Sequence, residues 1–223
     1  MHVKTLLGLL LDLLFPPRCP FCRGFLAFKE TFCTLCKDDL PFLSKADLFT
    51  KGNYFSRALA PLAYEGMVRD ALHRYKFEGK AMYAPFFAQI LAESIAENLE
   101  NCYDIITYVP VSKKRKRKRG YDQAELLAKQ LANILNKPLA VCLEKSVHTK
   151  AQSGLEHLEA RFANVRNAYH VIENADITEK RILLVDDVIT TGATLSEAAK
   201  CLLKAGAEEV LCASLAKTIK QKV

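Results

Sequence analysis

The residues with the clearest chemical potential lie between positions 182 and 195, where the sequence is ILLVDDVITTGATL. Four apolar residues of strand-like composition lead directly to two adjacent carboxylates, Asp186 and Asp187. Carboxylates can accept hydrogen bonds from two vicinal sugar hydroxyls and can share a magnesium ion with a pyrophosphate. Because like charges repel, the pair indicates a site for a sugar rather than direct binding of a phosphate.

The loop after these acids has the residue types that bind a phosphate. Threonine hydroxyls donate hydrogen bonds, a glycine lets the backbone approach an oxyanion, and a helix starting near Leu195 adds free amides at its N-terminus. With the carboxylates, the loop predicts a ribose 5-phosphate site. The alternative is that the acids only cap a turn, which would be a costly use of two carboxylates after a buried strand. The predicted phosphate-binding residues are Thr190, Thr191, Gly192, Ala193 and Thr194.

Cysteines form the second group with chemical potential. Four of the eight lie in two CxxC pairs, separated by ten residues: Cys19, Cys22, Cys33 and Cys36. Four thiolates complete a tetrahedral zinc shell, so we predict a structural zinc module without an open catalytic position. Redox-active pairs or an iron–sulfur cluster are the alternatives. The scattered remaining cysteines suit small buried hydrophobes in a reduced compartment, and we expect a cytoplasmic protein.

The net charge of +7 is local, because the run KKRKRKR at residues 113–119 contributes seven positive charges and the rest of the chain has 25 basic and 25 acidic residues. This predicts one polyanion-facing loop rather than a globally basic protein. Three interpretations are open: a solvated, disordered loop; a loop that concentrates an anionic substrate near Ser112; or a segment that follows a nucleic-acid backbone.

The order of apolar segments predicts an α/β fold, with a mainly parallel sheet flanked by helices. Strand-length runs at 58–64, 105–111, 139–143, 182–185 and 210–215 are interspersed with helical patterns at 67–76, 82–99, 124–135 and 195–205. Ligands of such sheets bind beyond the carboxyl ends of the strands.

Three segments are expected along the chain: a short amphipathic helix at 1–17, a four-cysteine zinc module at 18–50 and the main domain at 51–223. The leucine-rich start resembles a signal peptide, but it is too short to cross a bilayer and Asp12 interrupts it. We therefore expect no stable membrane insertion.

Segment 182–195 closely resembles the signature of type I phosphoribosyltransferases, which bind phosphoribosyl pyrophosphate (PRPP) with magnesium. Together with RGYDQAELLA at 119–128, the segment around Gln152 and Arg161, and the paired CxxC motifs, the resemblance extends over nearly the whole chain and is to the ComF family. It implies that Asp186 and Asp187 meet the ribose hydroxyls and that residues 190–194 hold the 5-phosphate.

The same resemblance implies roles for three other segments. Backbone amides at Val111, Ser112 and Lys113 are expected to contact pyrophosphate, and Gln152 and Arg161 to belong to a lid, unless that segment is a solvated surface hairpin. Contact with single-stranded DNA is expected from residues Lys114, Arg115, Lys116, Arg117, Lys118 and Arg119, with Tyr121 as a stacking face. Tyr121 and Asp122 stand where family members often have another aromatic residue and an asparagine.

Membership of this family implies a role in natural competence after DNA entry, alongside a helicase-like partner. Two functions from different classes fit the sequence. The first is a magnesium-dependent transfer of the phosphoribosyl group to a nucleobase or related amine. The second is a non-catalytic module that binds single-stranded DNA or a partner on the same scaffold.

Overall fold

The computed structural model describes residues 16–26, 30, 33–145 and 167–219. The predicted N-terminal helix, apart from its last two residues, and both lid candidates, Gln152 and Arg161, lie outside these ranges. Among the described residues, no helix is long and apolar enough to span a membrane.

Six strands form the main sheet, and five of them are paired in parallel. In chain order they are β1 (Phe49–Thr50), β2 (Ala58–Leu59), β3 (Leu62–Ala63), β4 (Ile105–Tyr108), β7 (Arg181–Ile189) and β8 (Glu209–Lys217). Their order in space is β1, β2, β8, β7, β4, with β3 also paired to β8 and only β1 antiparallel to its neighbour. A separate antiparallel pair contains β5 (Leu143–Lys145) and β6 (Tyr169–Val171).

The two long central strands, β7 and β8, are paired from Arg181 with Glu209 to Ile189 with Lys217. Both are apolar along nearly their whole length and buried on both faces, as expected for strands covered by helices on each side. Side chains that alternate along β7 therefore enter two different cores.

Six α-helices and one short 3₁₀ turn, Ala81–Tyr83, complete the described fold. The helices are α1 (Thr34–Asp39), α2 (Gly66–Phe77), α3 (Ala84–Leu99), α4 (Lys113–Arg119), α5 (Gln123–Leu135) and α6 (Ala193–Lys204). Helices α2, α3 and α5 pack on one face of the sheet, in a core that also includes apolar residues of the cysteine module. On the other face, α6 and the β5–β6 pair enclose the second core.

The expected strand at 139–143 is not part of the main sheet as a strand. Leu139 makes a single parallel bridge to Ile106, and the chain then forms β5 two residues later than the apolar run suggests it could end. Val141 in the middle of the run is exposed. A short apolar run does not determine which partner it pairs with, and here pairing with β6 decides the strand's position.

The basic run is a helix, not the loop that its composition suggested. Ser112 caps its N-terminus by accepting a hydrogen bond from the Arg115 amide at 3.4 Å, and Gly120 ends it in the left-handed conformation at φ 83°. Lys and Arg have high helix propensity, and these two end signals are enough to define α4 despite its dense like charge.

Candidate functional site

A cavity of about 690 Å³ lies beyond the carboxyl ends of β4 and β7. This is the edge at which parallel sheets bind ligands. Its walls come from α2, α4, the β5–β6 pair and the start of α6. Among the residues that line it are Lys76, Arg115, Lys118, Arg119, Lys145, Tyr169, Asp186, Asp187, Thr190, Gly192, Ala193 and Thr194.

The two adjacent acids approach this cavity from opposite faces of the sheet. Both belong to β7, whose side chains alternate, so Asp187 is on the side of α2 and Asp186 is on the side of α6 and the β5–β6 pair. Both still line the cavity because they lie near the carboxyl end of the strand. The pair can therefore embrace a ligand from two sides.

Asp187 is held by a lysine that sequence analysis did not identify. Its Oδ1 lies 2.8 Å from Lys76 Nζ on α2, and its side chain is only 5 % exposed. The second oxygen, Oδ2, is buried and has no hydrogen-bond partner among the described residues. A buried carboxylate oxygen without a partner is costly, so Asp187 Oδ2 has the chemistry to accept from a sugar hydroxyl or to bind magnesium.

Asp186 has a different electrostatic environment. Burial and the nearby charge of Asp187 raise the pKa of Asp186 to about 8, although Lys76 opposes the shift. One of its oxygens, Oδ1, accepts a hydrogen bond from the Asp187 amide at 2.8 Å. A magnesium ion or a set of sugar hydroxyls would favour its charged form.

The predicted phosphate loop forms the turn from β7 into α6. Gly192 adopts φ 75°, a left-handed conformation that suits glycine, and α6 begins at the next residue. Thr190, Gly192, Ala193 and Thr194 line the cavity. Thr191 is outside that lining, and its Oγ1 accepts a hydrogen bond from the Ala193 amide at 3.3 Å. The loop thus brings backbone and hydroxyl donors beside the acids at a helix N-terminus.

The segment expected to contact pyrophosphate is arranged differently. Val111 lines the cavity, but its amide donates to Asp122 Oδ2 at 2.8 Å. Ser112 is buried and caps α4, and the Lys113 ammonium lies 4.0 Å from Glu144 with its side chain 83 % exposed. Of these three residues, only Val111 lines the cavity.

Helix α4 has two distinct faces. Arg115, Lys118 and Arg119, at helical spacing i, i+3 and i+4, line the cavity. Lys114 and Arg117 are exposed and are not among the lining residues. Lys116 forms an ion pair with Glu125 at 2.6 Å. The seven charges therefore do not form one continuous polyanion track.

Tyr121 is packed into the protein rather than presented to solvent. Its hydroxyl donates to the Tyr75 carbonyl, and the two rings are 5.9 Å apart. Asp122 caps α5 by accepting from the Ala124 and Glu125 amides at 3.1 and 3.3 Å. These contacts give both departures from the family pattern a structural role.

Three cavity residues were missed by sequence analysis: Lys76, Lys145 and Tyr169. Lys145 Nζ donates to the Tyr169 hydroxyl at 2.9 Å, and burial with the nearby Arg115 charge lowers the pKa of Lys145 to about 8. No local motif surrounds them, since Lys145 and Tyr169 are 24 positions apart and meet only through β5–β6 pairing. A lone lysine among apolar residues, as in RYKF at 74–77, was the one available signal for Lys76.

The four N-terminal cysteines form a compact cluster in which all sulfur atoms lie within 4.8 Å of one another. Sγ–Sγ distances are 3.8 Å between Cys19 and Cys36 and 3.4 Å between Cys22 and Cys33. Four ligands at about 2.3 Å from zinc are separated by about 3.8 Å in a regular tetrahedron, so the thiolates fit that ion. The Gly24 amide donates to Cys22 Sγ and is the main cause of the lowered pKa of Cys22, about 7.

This module is docked on the main domain through α2. Arg74 donates to the Pro20 and Phe21 carbonyls at 2.8 and 3.0 Å, and the Phe21 ring packs against Phe87 with centroids 6.0 Å apart. The CPFC turn is therefore tied to the same helix that carries Lys76.

Comparison with known proteins agrees with both parts of this arrangement. A family model described as phosphoribosyl transferase domain matches residues 121–223, and one described as double zinc ribbon domain matches residues 10–47. Competence protein F of Haemophilus influenzae is 31% identical over 207 residues, which cover 90% of this chain and 85% of that protein. This chain belongs to the ComF family.

A second ComF relative, competence protein ComFC of Bacillus subtilis, is 30% identical over 64% of this chain and 56% of its own length. Among solved structures, a glutamine PRPP amidotransferase from B. subtilis, complexed with ADP and GMP, aligns with a TM-score of 0.43 and 20% identity. The alignment covers 63% of this chain and 30% of that enzyme. The predicted family and the predicted fold, a type I phosphoribosyltransferase domain with a four-cysteine module, are confirmed, and the module's cysteine geometry supports structural zinc.

Proposed function

We propose that this ComF protein binds PRPP, or a related ribose 5-phosphate, with magnesium at the carboxyl edge of its sheet. The observation that carries the proposal is the meeting of twin acids and a phosphate-type loop in one cavity. Asp187 Oδ2 is buried without a partner among the described residues, beside a helix N-terminus formed by residues 192–194. A sugar phosphate satisfies both features at once, with hydroxyls on the acids and the anion on the loop.

If the protein is an enzyme, the reaction is transfer of the phosphoribosyl group. The bond from C1 to the pyrophosphate oxygen breaks, the pyrophosphate leaves with the electron pair, and a bond forms between C1 and a nucleophile that loses a proton. Magnesium would supply charge neutralisation of the pyrophosphate. Asp186 and Asp187 orient the ribose, and the loop at 190–194 anchors the 5-phosphate.

The test is calorimetric titration of purified protein with PRPP and magnesium, followed by measurement of pyrophosphate release with a panel of nucleobases. We expect binding to the native protein and at least about tenfold weaker binding in Asp187→Asn, equal to a loss of about 1.4 kcal/mol. Thr218→Ala, a hydroxyl-removing change outside the cavity lining, is the control. Absence of PRPP and ribose 5-phosphate binding in the native protein would refute the proposal.

We propose a place for this activity in natural competence, after DNA has been taken up into the cytoplasm. Support comes from two relatives that bear competence names, one of which aligns over most of both chains. A helicase-like competence protein is the expected partner.

A second candidate function is a non-catalytic module that binds single-stranded DNA or a partner protein. The observation that favours it is the exposed outer face of α4, where Lys114 and Arg117 lie outside the cavity. Binding of PRPP without pyrophosphate release for any base would favour this candidate. Release that depends on one base, and that is abolished in Asp187→Asn, would favour the enzyme.

A further inference from the structure

Cationic side chains from two separate elements converge on the cavity. Arg115, Lys118 and Arg119 come from one face of α4, and Lys145 comes from the end of β5. The remaining lysine of the lining, Lys76, is already paired with Asp187. Among the described lining residues, Asp186 is the one carboxylate left to balance four cations.

These cations are close enough to disfavour one another. The charge of Arg115 helps to lower the pKa of both Lys145 and Arg119, after the larger effect of burial. Arg119 is fixed by a 2.7 Å hydrogen bond from NH1 to Gln123 Oε1, with its guanidinium 4.8 Å from the centre of the Phe77 ring. Like charges that are fixed near each other in a partly desolvated cavity indicate a site for an anion.

The backbone alternative is weaker in this chain. The Val111 amide is occupied by Asp122, and the Ser112 hydroxyl is occupied as the cap of α4. Side chains of α4 are therefore better placed than the preceding loop to meet a second anionic group beside the sugar.

We infer that the inner face of α4, formed by Arg115, Lys118 and Arg119, binds the pyrophosphate group of PRPP together with Lys145. The inference rests on the proposed function and assigns to one face of the basic run a small-molecule role that separates it from the outer face. The ribose acids and the 5-phosphate loop bind the other end of the same ligand. Pyrophosphate offers several oxygens to guanidinium forks and ammonium groups, which matches this donor set.

The experiment compares two double variants that remove the same number of charges from the same helix. Arg115→Gln with Lys118→Gln alters the inner face, and Lys114→Gln with Arg117→Gln alters the outer face. Calorimetry measures the affinity of each for PRPP, inorganic pyrophosphate and ribose 5-phosphate, all with magnesium. Lys145→Gln provides a test on a different element, and thermal unfolding of each variant verifies that it is folded.

We expect the inner variant and Lys145→Gln to lose at least about tenfold in affinity for PRPP and for pyrophosphate, while ribose 5-phosphate binding changes less than about twofold. The outer variant should keep its affinity for all three ligands. Equal losses in the inner and outer variants, or no loss in either, would overturn the inference. Native protein that binds ribose 5-phosphate no more weakly than PRPP would also overturn it, yet would leave the sugar-phosphate site standing. Native protein that binds neither sugar phosphate would refute the proposed function, and the inference with it.

Discussion

At the scale of single residues, chemistry in this cavity depends on neighbours that are distant in sequence. Asp186 and Asp187 are adjacent, yet one has its pKa raised to about 8 and the other forms a 2.8 Å ion pair. Strand alternation separates their environments. Lys145 likewise differs from surface lysines because burial and Arg115 lower its pKa to about 8.

We predict that Lys145 reacts faster than exposed lysines with an amine-acylating reagent at pH 8. About half of its amine is unprotonated at that pH, whereas a lysine of ordinary pKa near 10.4 is less than about 1 % unprotonated. Quantitative mass spectrometry of labelled peptides measures both rates, with Lys114 as the exposed comparison. Pyrophosphate should protect Lys145, because a bound anion favours the ammonium form. Equal labelling of Lys145 and Lys114 would contradict the lowered pKa.

The sign of the pH effect on stability follows from the same shift. Between pH 8 and the ordinary lysine value, folded protein binds fewer protons at Lys145 than unfolded protein does. The contribution of this residue to folding stability therefore rises as pH increases through that window, and it is at its least favourable below pH 8.

At the scale of elements, α2 connects the cysteine module to the cavity. Arg74 binds two carbonyls of the CPFC turn, and Lys76, two positions later, pairs with Asp187 on the sheet side. Positions i and i+2 of a helix point in different directions, which is why a single helix can hold both. The zinc module is thus a support for the helix that orients one of the site acids.

We predict that Arg74→Ala lowers the free energy of unfolding by about 1.5 to 3 kcal/mol, because two charge-assisted hydrogen bonds are lost. Zinc content should remain one ion per chain, since no thiolate is altered, but PRPP affinity should fall as α2 loosens. Urea unfolding, metal analysis and calorimetry measure these three effects. Arg69→Ala on the same helix is the control, because the Arg69 side chain is 61 % exposed and meets only Asp70 at 3.6 Å in an ion pair. The same loss of stability in both variants would rule out a docking role for Arg74.

At the scale of the whole molecule, charge is distributed very unevenly. All of the net +7 can be attributed to residues 113–119, since the rest of the sequence is balanced. The fold then divides that charge between a cavity wall and an outer surface. An electrostatic role in nucleic-acid binding, if present, belongs to the outer surface, while the inner charges meet a small anion.

We predict that Lys114→Gln with Arg117→Gln weakens binding of a single-stranded oligonucleotide and reduces its salt dependence. Each phosphate contact on a single strand contributes about 0.7 to the slope of log K against log salt, so loss of two contacts lowers the slope by about 1.4. Fluorescence anisotropy over a salt series provides the measurement, with the inner double variant as the charge-matched comparison. An unchanged slope in the outer variant would remove this surface from DNA binding.

The sequence by itself determined the local signals. The apolar run before Asp186 and Asp187, the threonine-rich turn with Gly192 and the spacing of four cysteines each lie within a short segment, so composition and spacing were enough to predict a parallel α/β fold, a sugar-phosphate site and a metal cluster. Element ends were also legible where a cap defines them, as Asp122 does for α5.

Only the tertiary structure decided which partners these residues meet. Lys76 and Asp187 are more than a hundred positions apart, and the Lys145–Tyr169 contact exists because β5 pairs with β6 rather than with the main sheet. The division of the basic run into two faces arises in the same way, since helical periodicity is local but the identity of the wall beside it is not. Packing of distant segments sets burial and electrostatic environment, and those determine what each side chain can do.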